Sequence, residues 1–339
     1  MGSAKIITLE TGADAAEVAS CLKAMGQWVQ PAQGDGPQPV LLIEPHSSSC
    51  SRESLLDIAG VADVMLPKSG HPKLDMLKGQ AALIGDLPIG ADSQPVVMAG
   101  PCSAESEEQI HQLATIAARA GAKILRGGAY KPRTSPYSFR GRGDPALKWL
   151  SEAARANDLK LVTEVMSEHD VCVVAENTDM IQIGSRNMQN FSLLKDVGAM
   201  AKPVLLKRGM AATVEDWMMS AEHLLAFGAR SVVFCERGVQ GIATQTRNLL
   251  DLGAVALLRH VYGLPVIVDP SHGTGRRDLI VPMARAGLAA GADGVMVEIH
   301  LNPKEALSDG PQAVAEAELS TVCAAARLFE RFPRSSLNT

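Results

Sequence analysis

Residues 203–238 read PVLLKRGMAATVEDWMMSAEHLLAFGARSVVFCERG. The stretch opens on a short apolar run, Pro203–Lys207, and passes through an amphipathic helical segment. It stops at Gly228-Ala229 and closes on a second run, Ser231–Glu236. A short apolar run without polar alternation marks a strand covered on both faces, and a helix between two such runs makes them parallel neighbours. The unit repeats in both directions. Upstream lie Val96–Gly100, Lys123–Gly127, Lys160–Glu164 and Met180–Gly184; downstream lie Pro265–Asp269 and Gly294–Glu298. Gly121-Ala122, Gly291-Ala292 and, more loosely, Tyr262-Gly263 repeat the helix stop.

Eight β/α units within about 240 residues are the expected content of a (β/α)₈ TIM barrel, placed here over residues 95–334. An open doubly wound sheet is the alternative α/β fold. It would carry a glycine-rich phosphate loop after its first strand, and residues 100–106, GPCSAES, are not GxGxxG. Residues 1–66 read differently. Lys5–Glu10, Trp28–Ala32, Pro39–Glu44 and Asp63–Pro67 have strand character, and Asp14–Met25 and Arg52–Val61 have helical spacing. The order β-α-β-β-α-β is that of a small ferredoxin-like α+β domain. Residues 67–94 are expected to hold a polar linker, Pro67–Met76, and a hairpin, Ala81–Gly90, around Gly85-Asp86.

The chain of 339 residues is 46% hydrophobic, 20% charged and only 4% aromatic, so its core is expected to be aliphatic. A net charge of -5 argues against a nucleic-acid binder without excluding a local basic pocket. The six cysteines are scattered, with no CxxC pair, which points to a reducing, cytoplasmic compartment. No apolar segment reaches the length of about 18 residues that a membrane span needs.

In such a barrel chemistry collects where the strands end. Reading those ends gives Cys102, Arg126, Glu164, Arg186, Lys207-Arg208, Glu236-Arg237, Asp269 with His272, and Glu298 with His300. A titratable group at nearly every strand end is the signature of an enzyme. Two sets separate. Cys102, His272, Glu298 and, in the loop ALSDG, Asp309 combine a thiolate, an imidazole and two carboxylates, a donor set for a divalent transition metal such as Mn, Fe, Co or Zn. Singly, a cysteine is usually a small buried hydrophobe and a histidine a hydrogen-bonded bystander; their convergence on one rim favours ligation. Arg126, Lys131, Arg133, Arg186, Lys207 and Arg237 form a basic set that is costly to gather unless anions occupy it. The plain alternative is that these cations are solvated or pair with Glu164 and Glu236. The loop Arg126–Gly141, RGGAYKPRTSPYSFRG, holds no acid and suits a second phosphate.

With AGPCS, LRGGAYKPRTSPYSF, QIGSRNMQNF, PVLLKRG, CERG, VDPSHGTGRRD, VEIH and LSDG in this order, residues 80–330 resemble 3-deoxy-D-arabino-heptulosonate 7-phosphate (DAHP) synthases of the type Iβ branch. The resemblance implies metal-dependent condensation of phosphoenolpyruvate with erythrose 4-phosphate, the opening step of aromatic amino-acid synthesis. It implies that Cys102, His272, Glu298 and Asp309 hold the metal, manganese first. It places Ser185, Arg186 and Arg237 at the phosphate of phosphoenolpyruvate and Arg126, Lys131 and Lys207 nearer its carboxylate. Arg133, Thr134 and Ser135 fall on the erythrose 4-phosphate loop, and Lys131, Glu164, Lys207, Asp269 and His272 near the reacting atoms. The N-terminal domain becomes an ACT-like regulatory element, with tyrosine or phenylalanine as effector and a homotetramer as assembly. Three rivals remain: the sister 3-deoxy-octulosonate 8-phosphate synthase, which uses arabinose 5-phosphate; a silent regulatory paralogue; and an unrelated barrel aldolase with a Schiff base at Lys207, which would leave three arginines and the metal set around it unexplained. The KPRT sequence at 131–134 argues against the first, and the complete ligand and cation set against the second.

Overall fold

The structure, a computed structural model, describes residues 5–32, 40–44, 47–48, 50–65, 69–131, 137, 139–242 and 244–329. The chain divides after Gly70 into two compact units. The smaller contains β1 (Lys5–Leu9), α1 (Ala15–Ala24), β2 (Val29–Ala32), β3 (Val40–Ile43), α2 (Arg52–Leu56) and β4 (Val61–Met65). Its antiparallel sheet has the order β2-β3-β1-β4. Ile7, Leu9, Leu41, Ile43 and Val64 point to the face that α1 covers with Val18 and Leu22, and α2 with Leu55. Helix α2 is shorter than the periodicity predicts. Gly60, at φ +87, turns the chain, and β4 begins at once at Val61.

In the larger unit, part of the stretch read as a polar linker is a helix, α3 (Pro72–Asp75). Its first amides, Lys73 N–H and Leu74 N–H, donate to the Glu222 carboxylate at 2.9 and 3.0 Å. A carboxylate suits a helix N-terminus, where amides lack internal partners. The hairpin follows as β5 (Ala81–Ile84) and β6 (Leu87–Gly90).

Eight parallel strands then close a barrel in chain order. They are β7 (Val96–Gly100), β8 (Ile124–Arg126), β9 (Lys160–Val165), β10 (Met180–Ile183), β11 (Pro203–Lys207), β12 (Ser231–Glu236), β13 (Val266–Val268) and β14 (Gly294–Glu298). Between and after them run α4 (Glu107–Ala120), α5 (Asp144–Ala156), α6 (Val171–Asn177), α7 (Phe191–Ala199), α8 (Val214–Ala226), α9 (Leu252–Ala256), α10 (Pro270–Thr274), α11 (Ile280–Ala289) and α12 (Glu316–Leu328). The Gly-Ala stops are explained by conformation: Gly121, Gly228 and Gly291 sit at φ +103, +113 and +100 just past helix ends.

The strand residues alternate between two cores. Val97, Leu125, Leu161, Val204, Val232 and Val295 face the helices. Met98, Ile124, Val162, Met180, Leu205, Val233, Ile267 and Met296 fill the interior together with Ala82, Ile84 and Ile89 of the hairpin. A Cβ on Gly85 would touch Lys160 and one on Gly90 would touch Pro265, so the hairpin lies where strands begin. The interior is therefore packed at one end, and the opposite rim carries the ends of all eight strands, among them Arg126, Lys207, Glu236 and Glu298. Among the described residues no helix is long and apolar enough to cross a membrane.

Candidate active site

Four ligand candidates converge on that rim. The sulfur of Cys102, just past β7, lies 3.1 Å from Oδ2 of Asp309. Cys102, Glu298 and Asp309 each offer an atom within 4.8 Å of the others. His272 Nε2 reaches 3.3 Å from Glu298 Oε1 and 4.0 Å from Asp309 Oδ2. Burial pushes the Cys102 thiol up to about 11, and Glu298 adds to the rise. Without a cation the sulfur therefore stays protonated at neutral pH. Burial also lowers His272, against the pull of Asp269 and Glu298, and favours the neutral imidazole that ligates. Burial opposes ionisation of Glu298 and Asp309 as well. His272 and Arg126 nevertheless hold Glu298 below its ordinary value; for Asp309 the hydrogen bond it accepts from Cys102, and then the His272 charge, do the same. One soft and two hard anionic donors with an imidazole fit a divalent transition metal.

A second layer fixes these donors. Asp269 caps α10 by accepting from His272 N–H at 3.0 Å, and its Oδ2 meets His272 Nδ1 at 2.7 Å. Nε2 is thereby turned toward Glu298 and Asp309, the usual carboxylate–histidine support of a ligating imidazole. The same Oδ2 accepts from Lys207 Nζ at 2.5 Å, so one buried carboxylate fixes a residue of each set. Burial works against its charge, yet His272 and Lys207 hold it well below the ordinary carboxylate range. Glu298 is held by Arg126 Nη1 at 3.0 Å and by Gln312 Nε2 at 2.6 Å.

Beside the donors opens a cleft lined by Arg126, Lys131, Arg186, Lys207, Arg237 and Arg247, with Glu164 and Asp309 as its only carboxylates among the described residues. Ser185 and Gln182 supply neutral polar groups. Burial lowers Arg237, and the nearby Arg247 charge adds to this despite Asp269. Arg126 Nε is buried without a hydrogen-bond partner among the described residues. A pocket with this surplus of positive charge is built for anions. Two close approaches make room. A Cβ on Gly184 would fall 1.9 Å from Glu164 Oε1, and one on Gly128 would meet Lys131 Nζ at 2.8 Å.

The structure corrects the picture of a wholly uncompensated basic set. Arg126 is paired with Glu298 and Lys207 with Asp269, neither being a partner considered from sequence. Glu236 and Arg208 leave the site altogether. Arg208 Nη1 lies 3.0 Å from Glu236 and 2.9 Å from Asp251, a buried pair that braces the strand ends. His300 stands beside Gln109 and Glu105 instead of facing the cleft. Arg133, Thr134 and Ser135 lie outside the described residues. Three residues escaped the sequence reading: Gln182, within β10 and donating to Glu164 at 3.2 Å, and two on loops. Gln312 lies in a 3₁₀ turn beyond Asp309, and Arg247 in the loop after β12, donating to Gln312 at 3.1 Å and Asp309 at 3.4 Å. Neither follows a strand directly, so the strand-end rule could not find them.

Comparison with known proteins bears on this rim. A sequence model described as the DAHP synthetase I family matches residues 72–328. A phospho-2-dehydro-3-deoxyheptonate aldolase of Thermotoga maritima is 45% identical over 267 residues, 77% of this chain and 77% of its own. A 2-dehydro-3-deoxyphosphooctonate aldolase of Acidithiobacillus ferrooxidans is 34% identical over 236 residues, 64% of this chain and 83% of its own. Among solved structures, that of a Thermotoga maritima phospho-2-dehydro-3-deoxyheptonate aldolase (DAHP synthase) superposes with a TM-score of 0.72 at 36% identity, covering 95% of each chain.

Proposed function

We propose that this chain, which belongs to the DAHP synthetase I family, is the transferase that condenses phosphoenolpyruvate with D-erythrose 4-phosphate, releasing inorganic phosphate and 3-deoxy-D-arabino-heptulosonate 7-phosphate. The observation that carries the reading is one rim where four candidate metal donors adjoin a cleft that, among the described residues, is lined by six cations and two carboxylates. The similarity to the Thermotoga maritima enzymes supports it. Cys102, His272, Glu298 and Asp309 would hold a divalent ion, manganese by preference, with iron, cobalt or zinc as alternatives. Such an ion acts as a Lewis acid toward an aldehyde oxygen.

The protein's own contribution is placement. Arg186 and Arg237, with Ser185, bind the phosphate of phosphoenolpyruvate. Arg126, Lys131 and Lys207 bind its carboxylate, and the unfilled Arg126 Nε is a donor ready for an oxygen. Arg133, Thr134 and Ser135 take the phosphate of the aldehyde. Two anions held side by side turn a bimolecular encounter into a local one. Carbon 3 of phosphoenolpyruvate then attacks the aldehyde carbon, water adds at carbon 2, and phosphate leaves by C–O cleavage. Proton handling is assigned to Lys207 Nζ or to a water held by Glu164. Asp269 keeps Lys207 and the His272 ring in place.

The test is phosphate release from phosphoenolpyruvate. It should require erythrose 4-phosphate and a divalent metal, stop with EDTA, and be much slower with arabinose 5-phosphate. Release that prefers arabinose 5-phosphate would assign the sister activity. In the same assay Arg186→Ala and Arg237→Ala should raise KM for phosphoenolpyruvate about 10- to 100-fold, since each loses a charged hydrogen bond worth about 1.5–3 kcal/mol. Arg133→Ala should raise KM for the aldehyde instead. An effect of Arg133→Ala confined to phosphoenolpyruvate would reverse the division of the two phosphate sites.

The small β-α-β-β-α-β unit is proposed to regulate the barrel in a cytoplasmic homotetramer. Tyrosine or phenylalanine would shift the population between active and inactive arrangements. Full-length enzyme should be inhibited by one of the two, and a chain starting at His71 should be active and insensitive. Equal inhibition of both forms, or of neither, would leave the unit a stabilising appendage.

A further inference from the structure

We propose that Glu105 and the Ser103–Ser308 pair are positioning residues that clasp two loops together and so set Asp309 into the metal site. The proposal rests on the reading that Cys102, His272, Glu298 and Asp309 hold the ion. Asp309 arrives from far along the chain, on the loop after β14, and has no strand of its own to hold it. Its backbone is left-handed, at φ +52, a conformation that side chains disfavour and that aspartate tolerates better than most.

The contacts that hold Asp309 form a ladder of side chains. Residues just past β7 face residues of the Asp309 loop in reverse order. Cys102 Sγ meets Asp309 Oδ2 at 3.1 Å. Ser103 Oγ makes a short hydrogen bond to Ser308 Oγ, and both serines are buried. Glu105 Oε1 accepts from Leu307 N–H at 2.8 Å. Among the described residues no backbone–backbone hydrogen bond joins 102–106 to 307–309, so side chains alone carry the junction. Glu105 is itself anchored. Its N–H donates to Gln109 Oε1 at 3.0 Å, its carbonyl accepts from Arg142 Nε at 3.1 Å, and its Oε2 faces His300 Nε2 at 3.6 Å. The chain thus runs from the start of α4, through Glu105 and Leu307, to a ligand two residues later. Removing an outer partner of a metal ligand lowers affinity because the ligand must then be ordered at the moment of binding.

The experiment is a Co(II) titration of the full-length protein against a chromophoric chelator, read with the cobalt–thiolate charge-transfer band. Glu105→Ala and Ser308→Ala should weaken Co(II) binding about 10- to 100-fold. KM for phosphoenolpyruvate at saturating metal should stay at the wild-type value, because Lys207 ends β11 and Arg186 and Arg237 follow β10 and β12, away from the two clasped loops. Glu105→Gln keeps an oxygen for Leu307 N–H and should bind as the wild type does. Ser308→Ala removes a single oxygen and guards against loss of fold in the Glu105 variants. Wild-type affinity and an unchanged band in both alanine variants would overturn the proposal. So would a Glu105→Gln protein as weak as Glu105→Ala. A wild-type protein that binds no Co(II) would instead overturn the metal reading beneath it.

Discussion

Cys102→Ala is expected to lose its metal and its turnover together while the barrel stays folded, and His272→Ala to behave alike. Each substitution deletes a donor outright, so affinity should fall by more than the roughly 100-fold that marks loss of an outer partner. The fold should tolerate both. Cys102 lies beyond the end of β7, outside the interior packed by Met98, Ile124, Val162 and Ile267. Its removal takes one hydrogen bond from Asp309, which keeps the charges of His272 and Arg247 beside it. Cys102→Ser separates size from softness: it keeps the volume and loses the thiolate. The measurements are metal content after chelator treatment and desalting, phosphate release with added Mn(II), and a thermal melt. Full turnover by Cys102→Ala in excess EDTA would defeat the ligand assignment.

What could be read from the sequence follows a physical division. The eight barrel strands were legible because they are short, mostly apolar and buried runs, with Gly-Ala stops at Gly121, Gly228 and Gly291 that take left-handed φ. Strand ends then located Cys102, Arg126, Glu164, Lys207, Asp269 and Glu298, since parallel strands deliver their last residues to one rim. The sheet order of the small unit agrees with its β-α-β-β-α-β reading. Pairing was not legible. Arg126 with Glu298 and Lys207 with Asp269 each join strand ends two strands apart in the closed barrel, and spacing in the chain carries no trace of them. Loop residues were hidden for the same reason. Arg247 and Gln312 reach the ligands only because two loops fold over the rim, which no periodicity encodes. Helix α3 was missed because four residues show no period, and a partner distant in sequence, Glu222, caps it.

Asp269→Asn tests a carboxylate that serves both halves of the site. Its carboxylate is fully buried and bonded to Lys207 Nζ and His272 Nδ1. Removing one partner of a buried ion pair leaves the other charge without compensation, which costs about 3–5 kcal/mol. The asparagine keeps the shape, so the loss reports on charge and not on a cavity. Urea melts of the metal-free proteins at pH 7 should show that difference. Its dependence on pH has a definite sign. The folded-state value of Asp269 lies well below the ordinary one. The stability it supplies is therefore complete above the unfolded carboxylate value of about 3.9 and is lost as pH falls through the folded value. The gap between wild type and Asp269→Asn should hold steady from neutral pH down to about 5 and shrink below about 4. Metal affinity should drop about 10- to 100-fold, because the imidazole of His272 loses the anion that orients it. A variant with wild-type stability at pH 7 would mean that Lys207 finds another partner. Wild-type metal affinity would mean that His272 is oriented without Asp269, and the coupling assigned to this carboxylate would be wrong.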